Sequence, residues 1–189
     1  KGILIMATNL QFIKQVTQSS SVTTFTVENC FNTQYDVYQI LISKADSNSD
    51  NLFLKLNFLD TSDSVITDST YDTAGLRMQS NTSYNEERHV NSTGFQKLAQ
   101  FDATDSDSAG IKIMVFNPFD SSSFTFITSQ TSTGVQGVNI TTKYVGVLKN
   151  TETVTGLRLG FTDSSGNLSS NGINDCIVNV FGVKWCQVA

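Results

Sequence analysis

The sequence predicts an all-β fold, a two-layer antiparallel β-sandwich, and three observations carry that expectation. Ser, Thr and Asn make up about a third of the 189 residues, a bias toward short side chains that bond their own backbone in turns and disfavour helix interiors. Thirteen Phe and five Tyr, with abundant Val and Ile, suit pleated, half-buried strands and are too many apolar anchors for a disordered chain. Apolar runs of five to nine residues alternate with polar turn clusters at the spacing of a sandwich or barrel. The length is that of one domain, 1–189, with residues 1–20 a candidate N-terminal arm. No fixed-period repeat or Pro-rich linker divides it.

Residues 21–27 (SVTTFTV) alternate, with Phe25 and Val27 on one face and Val22, Thr24 and Thr26 on the other. Residues 36–43 and 52–59 follow as strands joined by a polar loop. In the second of these, Leu52, Leu54, Leu56 and Phe58 form one face and Phe53, Lys55, Asn57 and Leu59 the other. Its period of two predicts one buried face and one mostly solvated face. A turn at 61–64 leads through Val65 and Ile66 to a short strand at 76–79. Residues 80–94 (SNTSYNEERHVNSTG) show neither period and read as a long loop, a kind of connection that is often functional.

Strand pattern resumes at 110–116, stops at Asn117-Pro118, the single proline, and continues at 124–128; a proline has no N–H to give a ladder. Strands at 140–148, 154–162 and 176–185 complete the chain. The Leu157, Leu159, Phe161 face is expected in the core beside that of Leu52 to Phe58. The last strand is apolar on both sides, with Ile177, Phe181, Val183 and Trp185 on one and Val178 and Val180 on the other. One side meets the opposing sheet, and the second, Val178 and Val180, is a candidate subunit interface, although a covering loop would explain it equally well.

Charge excludes some partners. A net charge of −5 with 12 scattered Lys and Arg argues against nucleic acid and anionic membrane surfaces, both of which need clustered cations. The longest apolar run near the start, Ile3 to Ala7, is too short to cross a bilayer or act as a secretion signal. Three cysteines, Cys30, Cys176 and Cys186, leave at least one thiol unpaired, and the last two lie too far apart along one strand to bridge. Buried reduced thiols suit assembly in a reducing cytoplasm.

No chemistry stands out. The single histidine excludes multi-His metal sites. The run Glu86-Glu87-Arg88-His89 is the best fragment of a catalytic triad, but no G-x-S-x-G elbow presents a nucleophile. Of the acids, only Glu28, Glu86, Glu87 and Glu152 are Glu, and the rest sit mostly in turn-like strings. Asp105, Asp107 and Gly110 match the first, third and sixth positions of a calcium loop, yet Ala109 and Phe116 stand where its later ligands belong. Trp185 with Tyr35, Tyr38, Tyr71 and Tyr84 would make a sugar-stacking platform, although a lone Trp in a strand is an ordinary core residue. The expectation is a protein without catalysis and without a cofactor.

Three stretches are familiar together: residues 35–83, with an L-x-L-x-F-L-D strand and a Y-D-x-A segment; IMVFNPFDSSSFTF at 113–126; and VTGLRLGF followed by IVNVFGVK near the end. They resemble a group of small virion proteins of tailed bacteriophages, many from marine and cyanobacterial hosts. The resemblance covers most of the chain and transfers no catalytic motif. It implies a jelly-roll-like sandwich in a phage particle, assembled in the host bacterial cytoplasm. Capsid decoration, in which the protein cements neighbouring shell subunits, is the preferred role, since the chain is one short domain without a fibre-like repeat. A tail-fibre or receptor-binding adhesin that recognises host glycan is the alternative. Partners would be phage capsid or tail proteins and other copies of the chain, with a closed trimer the expected homo-oligomer.

Overall fold

The computed structural model describes residues 9–81, 83–103, 109–170 and 172–184. Twelve strands run in order as β1 (Leu10–Gln18), β2 (Thr24–Val27), β3 (Val37–Ser47), β4 (Leu52–Leu59), β5 (Tyr71–Gln79), β6 (Tyr84–Ser92), β7 (Gln100–Phe101), β8 (Ala109–Phe116), β9 (Thr125–Val135), β10 (Val138–Leu148), β11 (Gly156–Thr162) and β12 (Ile173–Val183). The described residues contain no helix. All strand pairings are antiparallel and form an eight-stranded sheet, β1-β12-β3-β8-β9-β10-β5-β6, and a four-stranded sheet, β2-β11-β4-β7. The fold class is all-β, as the composition predicts.

Side chains from both sheets meet in one core. Leu52, Leu54, Leu56 and Phe58 of β4 and Leu157, Leu159 and Phe161 of β11 are all buried in it, as expected. The large sheet supplies Tyr38, Ile40 and Ile42 from β3 and Ile111, Ile113 and Val115 from β8. β4 departs from expectation on its second face, where Phe53, Lys55, Asn57 and Leu59 are buried too. Loops cover that face. Asn57 Nδ2 donates to the carbonyls of Ile66 and Thr93, Lys55 Nζ donates to Thr93 Oγ1 at 2.9 Å, and the Lys97 ammonium lies 5.0 Å from the Phe53 ring centre. Period two identifies two faces of a strand but does not reveal a loop folded over one of them.

Four strands do not reach across eight, and the segment leading into β7 fills the difference. Residues 95–99 run beside β4, with Phe95 N–H donating to Leu56 O at 2.9 Å and Leu98 N–H to Leu54 O at 3.0 Å. Phe95 packs edge-on against Phe58 (5.4 Å) and Tyr71 (4.9 Å). It also occupies the space above Gly146, where a Cβ would lie 2.7 Å from its ring. Two inward threonines of β9 and β10 satisfy buried carbonyls of residues 98–100: Thr142 Oγ1 donates to Leu98 O (2.8 Å) and Thr133 Oγ1 to Gln100 O (3.0 Å).

Several boundaries differ from the sequence reading. The stretch 80–94 is not a loop: residues 84–92 form β6, paired with β5 from Tyr71↔Ser92 to Met78↔Tyr84. β6 is an edge strand, and its charges hide the period while guarding its free side against further strand pairing. β5 begins at Tyr71, five residues earlier than expected, and β9 runs seven residues further, to Val135. Gln136 (φ 50°) and Gly137 (φ 78°) close the β9–β10 hairpin with two left-handed residues, the geometry of a type I′ turn. Residues 10–18, inside the expected arm, form the edge strand β1 against β12.

Candidate interaction surface

Val178 and Val180 are not an interface. Both are fully buried in the core of this one chain, because β12 turns its Cys176, Val178, Val180 side inward. Its outward side is Ile177, Asn179, Phe181 and Val183, all only partly buried. Alternation separates the two sides of β12, but a strand apolar on both carries no signal for which side is inside.

The outward side belongs to a larger surface. In register, Phe12, Phe181, Gln39, Met114, Thr128, Val145, Ala74 and Arg88 form one row across all eight strands of the large sheet. The row beside it runs Leu10, Val183, Val37, Phe116, Phe126 and Val147 before ending at Asp72. Val37 is buried, but several of the apolar side chains in these rows are exposed. Phe12 is 57% exposed, Phe126 48% and Val145 60%, and the Phe12 ring meets the Phe181 ring edge-on, 5.8 Å away. Between β8 and β6 the face is dished into a depression of about 960 Å³, with Met114, Val145 and Leu76 in its apolar part and Lys112, Lys143, Glu86 and Arg88 around them.

At the β6 edge the Glu86 to His89 run divides. Strand alternation sends Glu86 and Arg88 to the outer face, and leaves Glu87 and His89, both partly buried, opposite Gly75 and Thr73 of β5. Glu87 Oε2 accepts a hydrogen bond from Tyr144 Oη at 2.8 Å, and Glu87 Oε1 lies 3.9 Å from Arg77. Burial, with the Glu87 carboxylate beside it, pushes the Tyr144 hydroxyl well above its usual range. His89 is pushed below its usual value by burial first and by Lys97 second, against the opposing pull of Glu87. Its Nε2 is enclosed and has no hydrogen-bond partner.

The remaining sequence candidates do not converge. Tyr35, Tyr38 and Tyr71 are buried, with Tyr38 donating to Asn32 O at 2.7 Å and Tyr71 to Ile66 O at 3.1 Å; only Tyr84, 76% exposed, stands free as a surface ring. Trp185, Cys186, Asp105 and Asp107 lie outside the described residues. Cys30 and Cys176 are buried thiols, each pushed up to about 12 by burial. Among the described residues no group of three or more metal-ligating side chains is found, and no helix is long and apolar enough to cross a membrane. Sequence reading missed the outer face because its residues come from eight separated strands and line up only in register.

No family model, no curated protein and no solved structure matches the chain.

Proposed function

We infer that the chain is a non-enzymatic structural protein of a tailed-phage virion, a capsid decoration protein that stabilises the shell through protein–protein contacts. The sequence resemblance supplies the setting, and one observation supports the mode of action: the apolar outer face of the eight-stranded sheet, with Phe12, Phe126 and Val145 exposed in adjoining rows. A contiguous apolar surface of this kind marks a contact with another macromolecule. Self-association as a closed trimer would cover part of it without propagating into fibres, and the shell would cover the rest. The two sheets around one core support reading the fold as a jelly-roll-like sandwich, and buried free thiols are compatible with assembly in the bacterial cytoplasm.

A second reading, a tail-fibre or receptor-binding domain, is favoured by a polar pocket beside His89. Reconstruction of the intact particle separates the two. Density for this chain across seams between capsid subunits, with the outer face turned toward them, is the expected result. Density confined to a fibre tip would establish the adhesin, and absence from purified particles would overturn both readings.

A further inference from the structure

A polar pocket of about 310 Å³ opens where the end of β6, the segment entering β7 and the turn after β11 come together. Its walls are His89 and Ser92, then Thr93, Gln96 and Lys97, then the Ser164 to Gly166 turn. Gly166 (φ 87°) faces Gln96, whose Oε1 would lie 3.7 Å from a Cβ there.

The charge around this pocket is one-sided. Lys97 and His89 line it, and behind Thr93 sit Lys55, 8% exposed, and Arg158, which bonds Asn57 Oδ1 at 3.3 Å. None of these four bases forms an ion pair among the described residues, in a protein of net charge −5. The carboxylates nearby are already engaged. Asp163 accepts from Ser165 N–H (2.8 Å) and Asn167 N–H (2.9 Å), Asp72 holds Lys149 at 3.0 Å and Asn91 N–H at 2.8 Å, and Glu87 holds Tyr144 and Arg77. Lys55 is a buried cation without a carboxylate partner among the described residues, which is costly, and the Lys97 ammonium on the pocket wall faces the Phe53 ring rather than a carboxylate.

We propose that this pocket binds a carboxylate-bearing sugar, with Lys97 meeting the carboxylate, the Ser, Thr and Gln side chains meeting the hydroxyls, and the His89 ring forming part of the wall. The volume suits one monosaccharide unit, and the hydroxyl and amide lining supplies both donors and acceptors. Lys97 is held over Phe53, so its ammonium is positioned before the ligand arrives. The site is the one that favours the receptor-binding reading, and it lies apart from the apolar outer face.

One histidine in the chain gives a single imidazole Hε1 resonance in the full-length, tag-free protein. Titration with glucuronate is expected to move it saturably with a roughly millimolar midpoint, while glucose leaves it in place. Lys97→Gln should weaken the response about tenfold or more, since it removes a charge-assisted contact. Gln96→Ala should weaken it less, and Lys149→Gln, outside the pocket, should not change it. Should Lys97→Gln lose the folded spectrum, the Gln96→Ala titration decides. A linear, non-saturating shift, an unchanged response in both pocket variants, or inorganic phosphate binding as tightly as glucuronate would overturn the assignment to an acidic sugar.

Discussion

Tyr144 lies over Gly75 on the neighbouring strand and donates its hydroxyl hydrogen to Glu87 one strand further on, at 2.8 Å. One ring thereby ties β10 to β5 and to the edge strand β6. The glycine is required sterically: a Cβ at position 75 would sit 2.5 Å from Tyr144 Cδ1 and closer still to the Lys143 carbonyl. This is an aromatic side chain covering a glycine across a sheet, a device that pins register.

Gly75→Ala is therefore expected to displace the ring and destabilise the protein by about 1–3 kcal/mol, the range for overpacking a filled site. Tyr144→Phe keeps the ring and removes only the bond to Glu87, and should cost about 1–2 kcal/mol. Urea midpoints of the two variants check the order; equal stability of Gly75→Ala and wild type would refute the packing argument.

Leu56→Ala should cost about 2–5 kcal/mol, because Leu56 is fully buried at the centre of the four-stranded sheet and its loss leaves a cavity. Its backbone N–H and carbonyl both bond Phe95, so the site has little freedom to collapse. Thermal unfolding followed by circular dichroism measures the loss.

Charge substitution distinguishes the two faces of the large sheet. Val178→Asp places a carboxylate in the core and should abolish folding. Val145→Glu, on the exposed outer face, should leave the melting temperature within a few degrees of wild type while reducing the sedimenting mass of any oligomer. A folded Val178→Asp protein would mean that the burial of β12 is misassigned, and an unchanged mass for Val145→Glu would remove its row from the interface.

Stability should rise as pH increases from about 5 to 7. His89 is held below its ordinary value of about 6.5 in the folded chain, so the unfolded chain binds more protons in this window and is favoured there as pH falls. The His89 contribution is fully present above the unfolded value and is lost on acidification toward the folded one. His89→Gln should flatten the difference in denaturation midpoint between pH 5 and pH 7. A slope unchanged by the substitution would assign it to carboxylates instead.

Gly137→Ala should cost about 1 kcal/mol, since the residue sits at φ 78° in the two-residue β9–β10 turn. The neighbouring Gln136 N–H is held by Asp102 Oδ2 at 2.9 Å, so the turn has an anchor that limits relaxation. Comparison with Gly110→Ala, where an added Cβ meets nothing within 4 Å, separates turn strain from the general effect of losing a glycine.

The sequence by itself determined what depends on local chemistry and period. Abundant Ser, Thr and Asn disfavoured helices, and alternation in 52–59 and 157–161 marked the core face of the small sheet. Alternation also separated the two sides of β12, but both are apolar, so which one turns inward was decided only by packing in the core. The charged run Glu86 to His89 concealed β6 because an edge strand meets water on its free side and need not repeat an apolar pattern. The two rows from Phe12 to Arg88 and from Leu10 to Asp72 exist only in the paired sheet, where residues up to 173 positions apart in sequence, Leu10 and Val183, become neighbours through register. Tertiary structure likewise decided the pocket beside His89, since residues 89–97 and the 164–166 turn are distant in the chain and their unbalanced charge appears only when the nearby carboxylates find other partners. Local propensity acts over a few residues, whereas faces and pockets are sums over strands that only the folded chain brings together.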